Sequence, residues 1–308
     1  MMWNKRNKRS RGKKHTAVLG ILSMTAMLLT GCVSQSNEIE DTVVTESTNE
    51  TRIVATSVAT LEILDALEID GVVGIPETSY EMPERYADAT KVGTPMSPDM
   101  EIVKSLNPTF VLSPKSLETD LASSYEAIGV SSVFLNLSSV EGMYQSIEGL
   151  GELFGAEENA AKLVEEYETF FDKYQEAHSA DEQPTVLILM GLPGSYVVAT
   201  ENSYVGNLVK LAGGINVYEG ISSEEFVNIN TEDMVQTKPD IILRTAHALP
   251  DQVMAMFAEE FETNDIWKHF EAVQEGNVYD LDSTKFGMSA TLDYQEAIAD
   301  LESIFYGK

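Results

Sequence analysis

Two copies of one short unit, one in each half of the chain, restrict the fold more than any other feature. Glu101-Ile-Val-Lys-Ser-Leu-Asn-Pro108 followed by Phe110-Val-Leu112 matches Glu232-Asp-Met-Val-Gln-Thr-Lys-Pro239 followed by Ile241-Ile-Leu243. In each copy a Glu opens a short helix, a Pro stands seven residues on, and an apolar run begins two residues later. Ile241-Ile-Leu243 is apolar without alternation, the pattern of a strand buried on both faces. Self-similarity once per half predicts two lobes built on one plan rather than a solenoid of many repeats.

The second copy runs on into Arg244-Thr-Ala-His247, a polar turn, before Pro250-Asp-Gln starts an apolar-periodic helix. Ligands of open α/β sheets bind beyond the carboxyl ends of the strands, so His247 is placed where a ligand would be. A single turn histidine is often only a solvated side chain, and it needs a partner. The candidate precedes the first copy: Gly93-Thr-Pro-Met-Ser-Pro98 is a rigid loop with Met96 at its tip. An isolated methionine is usually core filler. The flanking prolines and the lack of apolar neighbours argue against that here.

The net charge of −30 is unevenly spread. Residues 1–32 hold seven of the 20 basic residues and no acid, which leaves 13 basic against 50 acidic residues beyond them. Such a potential repels nucleic acid and gives no attraction to anionic lipid. The basic start and the apolar core Ala17–Leu29 read as a signal peptide over residues 1–31, and the core is too short to span a bilayer. Cys32 is the sole cysteine, so no intrachain disulfide forms. Residues 32–50 are polar, acidic and aperiodic, a disordered tether.

From Arg52 the chain alternates strand and helix. Ile53-Val-Ala, Val72-Val-Gly-Ile75, Phe110-Val-Leu112 and Ser132-Val-Phe-Leu135 read as strands of an N-terminal α/β lobe, 51–139. Residues 140–180 form a helical interlobe segment; 140–179 hold no strand, and Glu157–His178 keeps apolar residues at helical spacing. His178 at its end suits the helix dipole and reads as structural. The C-terminal lobe, 181–308, has strands at Val186–Met190, Val197–Ala199, Ile241–Leu243 and Val278–Leu281, with helices over Tyr204–Leu211 and 290–306. In Asp265–Phe270, Trp267 and Phe270 read as inward and His269 as rim or surface. The fold class is therefore α/β: two Rossmann-like lobes joined by a long rigid helix, with the ligand in the interlobe cleft.

This organisation resembles the metal-chelate class of ABC-importer substrate-binding proteins over residues 51–308. Leu29-Thr-Gly-Cys32 resembles the bacterial lipobox, whose cysteine is lipidated. Gly93-Thr-Pro-Met96, Leu189-Met-Gly-Leu-Pro-Gly-Ser-Tyr196, Asp240-Ile-Ile-Leu-Arg-Thr-Ala-His247 and Asn264-Asp-Ile-Trp-Lys-His-Phe are similar to motifs of the haem-receptor lipoproteins of the iron-regulated surface determinant system. The resemblance implies haem as transported ligand, held between Met96 and His247 as axial ligands, a pair that raises the reduction potential of haem iron. It further implies propionate and edge contacts at Val58, Ala59, Ser79 and Tyr80. Amides opening a helix suit a carboxylate, while Tyr80 reads equally well as a half-buried aromatic. Departures from the motifs are small: Ser follows Met96 where the family has an acid, and Ala follows His247 where it has Gly.

The resemblance also implies partners and an address. Glu101 and Glu232, one per lobe, would meet arginines of an ABC permease, which works with its ATPase; the alternative is a carboxylate favoured by the helix dipole. Upstream cell-wall haem-relay proteins would supply haem. The protein would be a monomer, lipid-anchored on the extracytoplasmic face of a bacterial, Gram-positive membrane.

Other chemistries fit less well. A free Zn²⁺ or Mn²⁺ site needs three or four His or carboxylate ligands, and beyond the signal the chain has only His178, His247 and His269. A pocket for an anionic iron-siderophore needs clustered arginines, and only Arg52, Arg85 and Arg244 remain, so a siderophore or cobalamin is the second reading. Gly191-Leu-Pro-Gly-Ser lacks the lysine of a phosphate loop, and it is not the Gly-x-Ser-x-Gly elbow of a hydrolase. No enzymatic activity is expected.

Overall fold

The computed structural model describes residues 51–178 and 182–307; the signal peptide, Cys32 and the tether lie outside the described residues. The first lobe runs β1 (Ile53–Ala55), α1 (Val58–Ala66), β2 (Val72–Ile75), β3 (Thr90–Lys91), β4 (Gly93–Thr94), β5 (Ser97–Pro98), α2 (Met100–Ser105), β6 (Phe110–Pro114), α3 (Glu118–Ile128) and β7 (Ser132–Leu135). Its main sheet has the order β3-β2-β1-β6-β7, and every neighbouring pair is parallel. All the carboxyl ends of these strands therefore open on one edge. β4 and β5 stand off this sheet as a separate hairpin.

Two helices follow, α4 (Val140–Phe154) and α5 (Glu157–His178). The Ser139 hydroxyl caps α4 by accepting from the Gly142 amide at 2.9 Å. Gly151 lets the two helices touch: a Cβ there would lie 2.7 Å from the Cβ of Ala160. Along α5, Asn159 donates to the Leu67 carbonyl of the first lobe at 2.9 Å, and Tyr174 donates to the Ala212 carbonyl of the second at 3.3 Å. One rigid helix is thus fastened to both lobes. Its last residue, His178, stacks between Tyr174 and Tyr306 and meets Glu302 at 3.2 Å, in keeping with a structural role.

The second lobe runs β8 (Thr185–Leu192), β9 (Ser195–Ala199), α6 (Tyr204–Leu211), β10 (Ile215–Asn216), β11 (Phe226–Val227), α7 (Thr231–Gln236), β12 (Ile241–Ala246), α8 (Pro250–Thr263), α9 (Glu271–Glu275), β13 (Val278–Asp280) and α10 (Tyr294–Tyr306). Its sheet has the order β11-β9-β8-β12-β13, with β10 also on β8. The lobes differ here. β8 pairs in parallel with β12, but antiparallel with β9 through the two-residue turn Pro193-Gly194. Gly194 takes a positive φ of 82°, which the turn requires. The Gly-Leu-Pro-Gly-Ser stretch is therefore a hairpin, with no helix N-terminus to receive a phosphate.

The repeated unit survives to the backbone. α2 and α7 are each six residues long, and Asn107 and Lys238 follow them with φ of 46° and 47°. A left-handed residue closes a helix and turns the chain into the proline and the strand beyond. Thr109 then donates to the Arg52 carbonyl and Asp240 to the Thr185 carbonyl, which starts β6 beside β1 and β12 beside β8 in the same manner.

One apolar cluster joins the lobes, from Ile53, Leu61 and Leu112 through Val140, Tyr144, Ile147 and Phe171 to Val186, Leu243 and Ile298. Polar ties reinforce it. Asn207 accepts from the Val140 amide at 2.9 Å and donates to Glu141 at 3.0 Å, and the Ala290 amide donates to the Leu137 carbonyl at 2.7 Å. A shared core of this kind resists large hinge motion between lobes.

Candidate ligand-binding site

The residues singled out in the first lobe come together on the carboxyl edge of one sheet. Val58 and Ala59 open α1 directly after β1, Ser79 and Tyr80 lie in the loop after β2, and Met96 follows β3. Those three strands are neighbours. Ser57 caps α1 by accepting from the Thr60 amide, so Val58 and Ala59 are the first two helical residues, whose N–H groups have no intrahelical acceptor. Ser79 and Tyr80 are on the surface, Tyr80 at 46 % exposure. Glu77 donates to the Gly93 carbonyl at 2.7 Å and ties their loop to the hairpin of Met96.

Met96 occupies the hairpin turn, because Thr94 pairs with Ser97 and only Pro95 and Met96 lie between them. Its side chain is 66 % exposed. A methionine held in the open by a two-residue turn is not packing filler, since burial is what normally recommends that side chain.

His247 stands at the corresponding edge of the second sheet, one residue past β12. Its amide donates to the Gly191 carbonyl at 3.0 Å, continuing the register that pairs Ala246 with Gly191. Partial burial holds the imidazole pKa below its ordinary value, which favours the neutral ring with a free lone pair. Gly191 is required below it: a Cβ there would lie 2.2 Å from Val253 Cγ1 and 2.8 Å from Phe257 Cε2. The strand is braced on its other side. Arg244 makes a two-pronged pair with Asp280 of β13, at 2.6 and 2.9 Å, and lies over the rings of Phe257 and Phe261. Thr245 donates to the Phe286 carbonyl at 2.8 Å.

After His247 the chain makes an abrupt turn. Leu249 has φ 48° and ψ 58°, a left-handed conformation that costs a leucine about 1–3 kcal/mol. Its carbonyl accepts from Gln252 and Val253, and Pro250 begins α8. Trp267 and Phe270 are buried and His269 is exposed. Glu260 gathers Tyr196, Asn264 and Trp267 as donors onto one carboxylate oxygen, which fixes that corner of the lobe.

A cavity of about 310 Å³ lies between the lobes. Lys115, Ser116 and Asn136–Ser138, at the carboxyl ends of β6 and β7, line one side, and Glu225, Met288 and Ser289 line the other. Burial raises the Glu225 carboxyl above its usual range, helped by Glu224. None of the residues singled out from the sequence lines this cavity, and its own residues belong to no motif. It nevertheless lies on the same carboxyl edge of the sheet as Val58, Tyr80 and Met96, because β1, β2, β3, β6 and β7 all run the same way. Among the described residues no group of three or more His, Cys, Asp or Glu is arranged to hold a metal ion.

Glu101 and Glu232 lie in the first turns of α2 and α7. Both are exposed, and among the described residues neither carboxylate meets a side-chain partner. Asp99 accepts from the Glu101 and Ile102 amides, and Asn230 accepts from that of Asp233. The capping work is thus done by those neighbours.

Comparison with known proteins agrees with this geometry. The profile of the family described as periplasmic binding protein matches residues 53–284, which contain both sheets. The chain is 40 % identical over 291 residues to the high-affinity heme uptake system protein IsdE of Staphylococcus aureus strain Newman, covering 94 % of this chain and 97 % of that one. Among solved structures, an ABC transporter substrate-binding protein from Listeria monocytogenes EGD-e superposes with a TM-score of 0.79 at 47 % identity, over 84 % of this chain and 100 % of that one. S. aureus IsdE complexed with heme gives 0.79 at 41 % identity, over 83 % and 99 %. With two sheets, a shared core and this extent of similarity, the chain belongs to the periplasmic binding protein family.

Proposed function

We propose that this protein is the haem-binding, substrate-capturing component of an ABC-type importer and carries out no chemistry on its ligand. The observation that carries the reading is one thioether and one imidazole, each at the carboxyl edge of a different sheet, in a chain 41 % identical to a protein solved with heme. Met96 and His247 are the axial ligands of the iron, and both are uncharged donors suited to it. The amides of Val58 and Ala59 receive a propionate, and Ser79 and Tyr80 contact the porphyrin edge. Lobe boundaries at 51–139 and 181–308, with 140–180 as the bridge, follow the division of the strands between the two sheets.

The same reading assigns Glu101 and Glu232 to a permease that works with an ATPase, and cell-wall relay proteins as haem donors. Cys32 is the lipid anchor on the extracytoplasmic face of a Gram-positive membrane. A diacyl anchor holds where a single chain binds only marginally, so Cys32→Ala should leave the membrane fraction; equal fractionation of both forms would remove the anchor. The function itself is tested by titrating ligand-free protein with haemin, a ferric siderophore and cobalamin. The expected result is a saturable Soret change at one haemin per protein and no response to the others. Saturable binding of siderophore or cobalamin, with none of haemin, would establish the second reading instead.

A further inference from the structure

Leu249 combines two properties that the fold alone does not require. It is one of six large hydrophobic side chains exposed among the described residues, at 59 %. Three of the six, Tyr80, Met96 and Leu249, lie in loops leaving the carboxyl ends of parallel strands, each in a different loop. It is also one of four non-glycine residues with positive φ among the described residues. Glu68, Asn107 and Lys238, the other three, follow helices α1, α2 and α7, where a left-handed residue closes the helix. Leu249 alone of the four precedes a helix, and it alone is apolar.

A glycine or asparagine would take this backbone conformation more readily, and a polar side chain would cost nothing in water. Leucine here is worse for the empty protein on both counts. Strain kept at a residue beside a ligand loop points to a role in the bound state. The turn aims the chain from His247 into α8 and leaves the isobutyl group exposed two residues past that histidine.

We infer that Leu249 is a ligand-contacting residue whose side chain covers the apolar face or edge of the macrocycle next to His247, so that the strained turn is stabilised by the ligand rather than by the fold. This rests on the haem reading. The apolar contact excludes water from the iron–imidazole bond and slows release of the ligand. An anionic, hydrophilic chelate would gain nothing from it, so Leu249 also biases the cleft toward flat apolar macrocycles.

The test uses mature protein loaded with haemin, in the parent and in Leu249→Gly, Leu249→Asn and Leu249→Met. Haem loss is followed by transfer to excess apomyoglobin, and the thermal midpoint is measured without haem. Gly and Asn remove the apolar group while suiting the left-handed turn; Met keeps an apolar group. The expected result is a thermal midpoint equal to or above the parent's for Gly and Asn, with haem loss about tenfold faster, equivalent to about 1.4 kcal/mol. The Met variant should release haem at nearly the parental rate. Parental release from Gly and Asn, or release from Met as fast as from Gly, would overturn the inference. His247→Ala separates the two levels: if it weakens haem while the Leu249 variants do not, only this inference fails. If His247→Ala also leaves spectrum and release unchanged, the haem reading itself fails.

Discussion

Asn107 and Lys238 share one backbone conformation, φ 46° and 47°, at the same place in two units more than a hundred residues apart. Each follows a six-residue helix whose first turn presents an exposed glutamate, Glu101 in one lobe and Glu232 in the other. The two carboxylates therefore stand on equivalent scaffolds, and it is on this ground that we propose both as contacts to a permease made of two similar halves.

Reversing both charges tests that contact. Glu101→Lys with Glu232→Lys should abolish haem uptake by cells while leaving the fold and haem affinity of the purified protein unchanged. Asp99 and Asn230 supply the caps, so little stability is at stake. Surviving uptake would reduce both glutamates to dipole-favoured surface charges.

Gly191 links the sheet to the loop of His247. Gly191→Ala would drive a methyl group into Val253 and Phe257, at a cost of about 1–3 kcal/mol for overpacking. Because the Gly191 carbonyl holds the His247 amide, haem affinity should fall along with stability. Denaturant unfolding and a haemin titration on the same sample measure both. An alanine variant with parental values in each would show that α8 yields freely and that Gly191 positions nothing.

Glu62 on α1 is half-buried, and burial with the nearby Asp293 charge raises its pKa from 4.5 to about 7. Tyr204 lies in the same electrostatic neighbourhood. The folded state therefore binds this proton more tightly than the unfolded chain does. Stability from this group is full below about pH 4.5 and is lost as pH rises through about 7. Glu62→Gln should raise the thermal midpoint by a few degrees at pH 8 and change it little at pH 4. An equal effect at both values would mean that the carboxyl titrates normally.

Much of this fold was legible in the chain because its strands are short β-branched runs. Ile53–Ala55, Val72–Ile75 and the helix Tyr204–Leu211 fall where their patterns put them, and the repeat fixed the equivalence of β6 and β12. The two-residue strands β3, β10 and β11 carry no periodicity to read, and they exist only because a neighbouring strand offers hydrogen bonds. α4 keeps Val140, Met143, Ile147 and Leu150 buried at helical spacing, yet Gly142, Gly149 and Gly151 dilute its helical signal.

The candidate site divides in the same way. Met96 and His247 stand out as chemistry between prolines and after a strand. Leu249 does not, because nothing in the sequence marks a leucine as left-handed. The cavity around Lys115 and Glu225 is equally silent, since it is built by loops that meet only in the folded chain.

The central claim is that Met96 and His247 hold one iron from opposite lobes, and absorbance spectra of the haemin-loaded protein test it most directly. The parent should show a six-coordinate spectrum. His247→Ala should shift the Soret band and lose the greater share of affinity, because imidazole binds both ferric and ferrous iron whereas thioether favours the ferrous state. Met96→Ala should shift the band and lower the reduction potential, and His178→Ala and His269→Ala should change neither. A parental spectrum and affinity in His247→Ala would contradict the account and turn attention to His269.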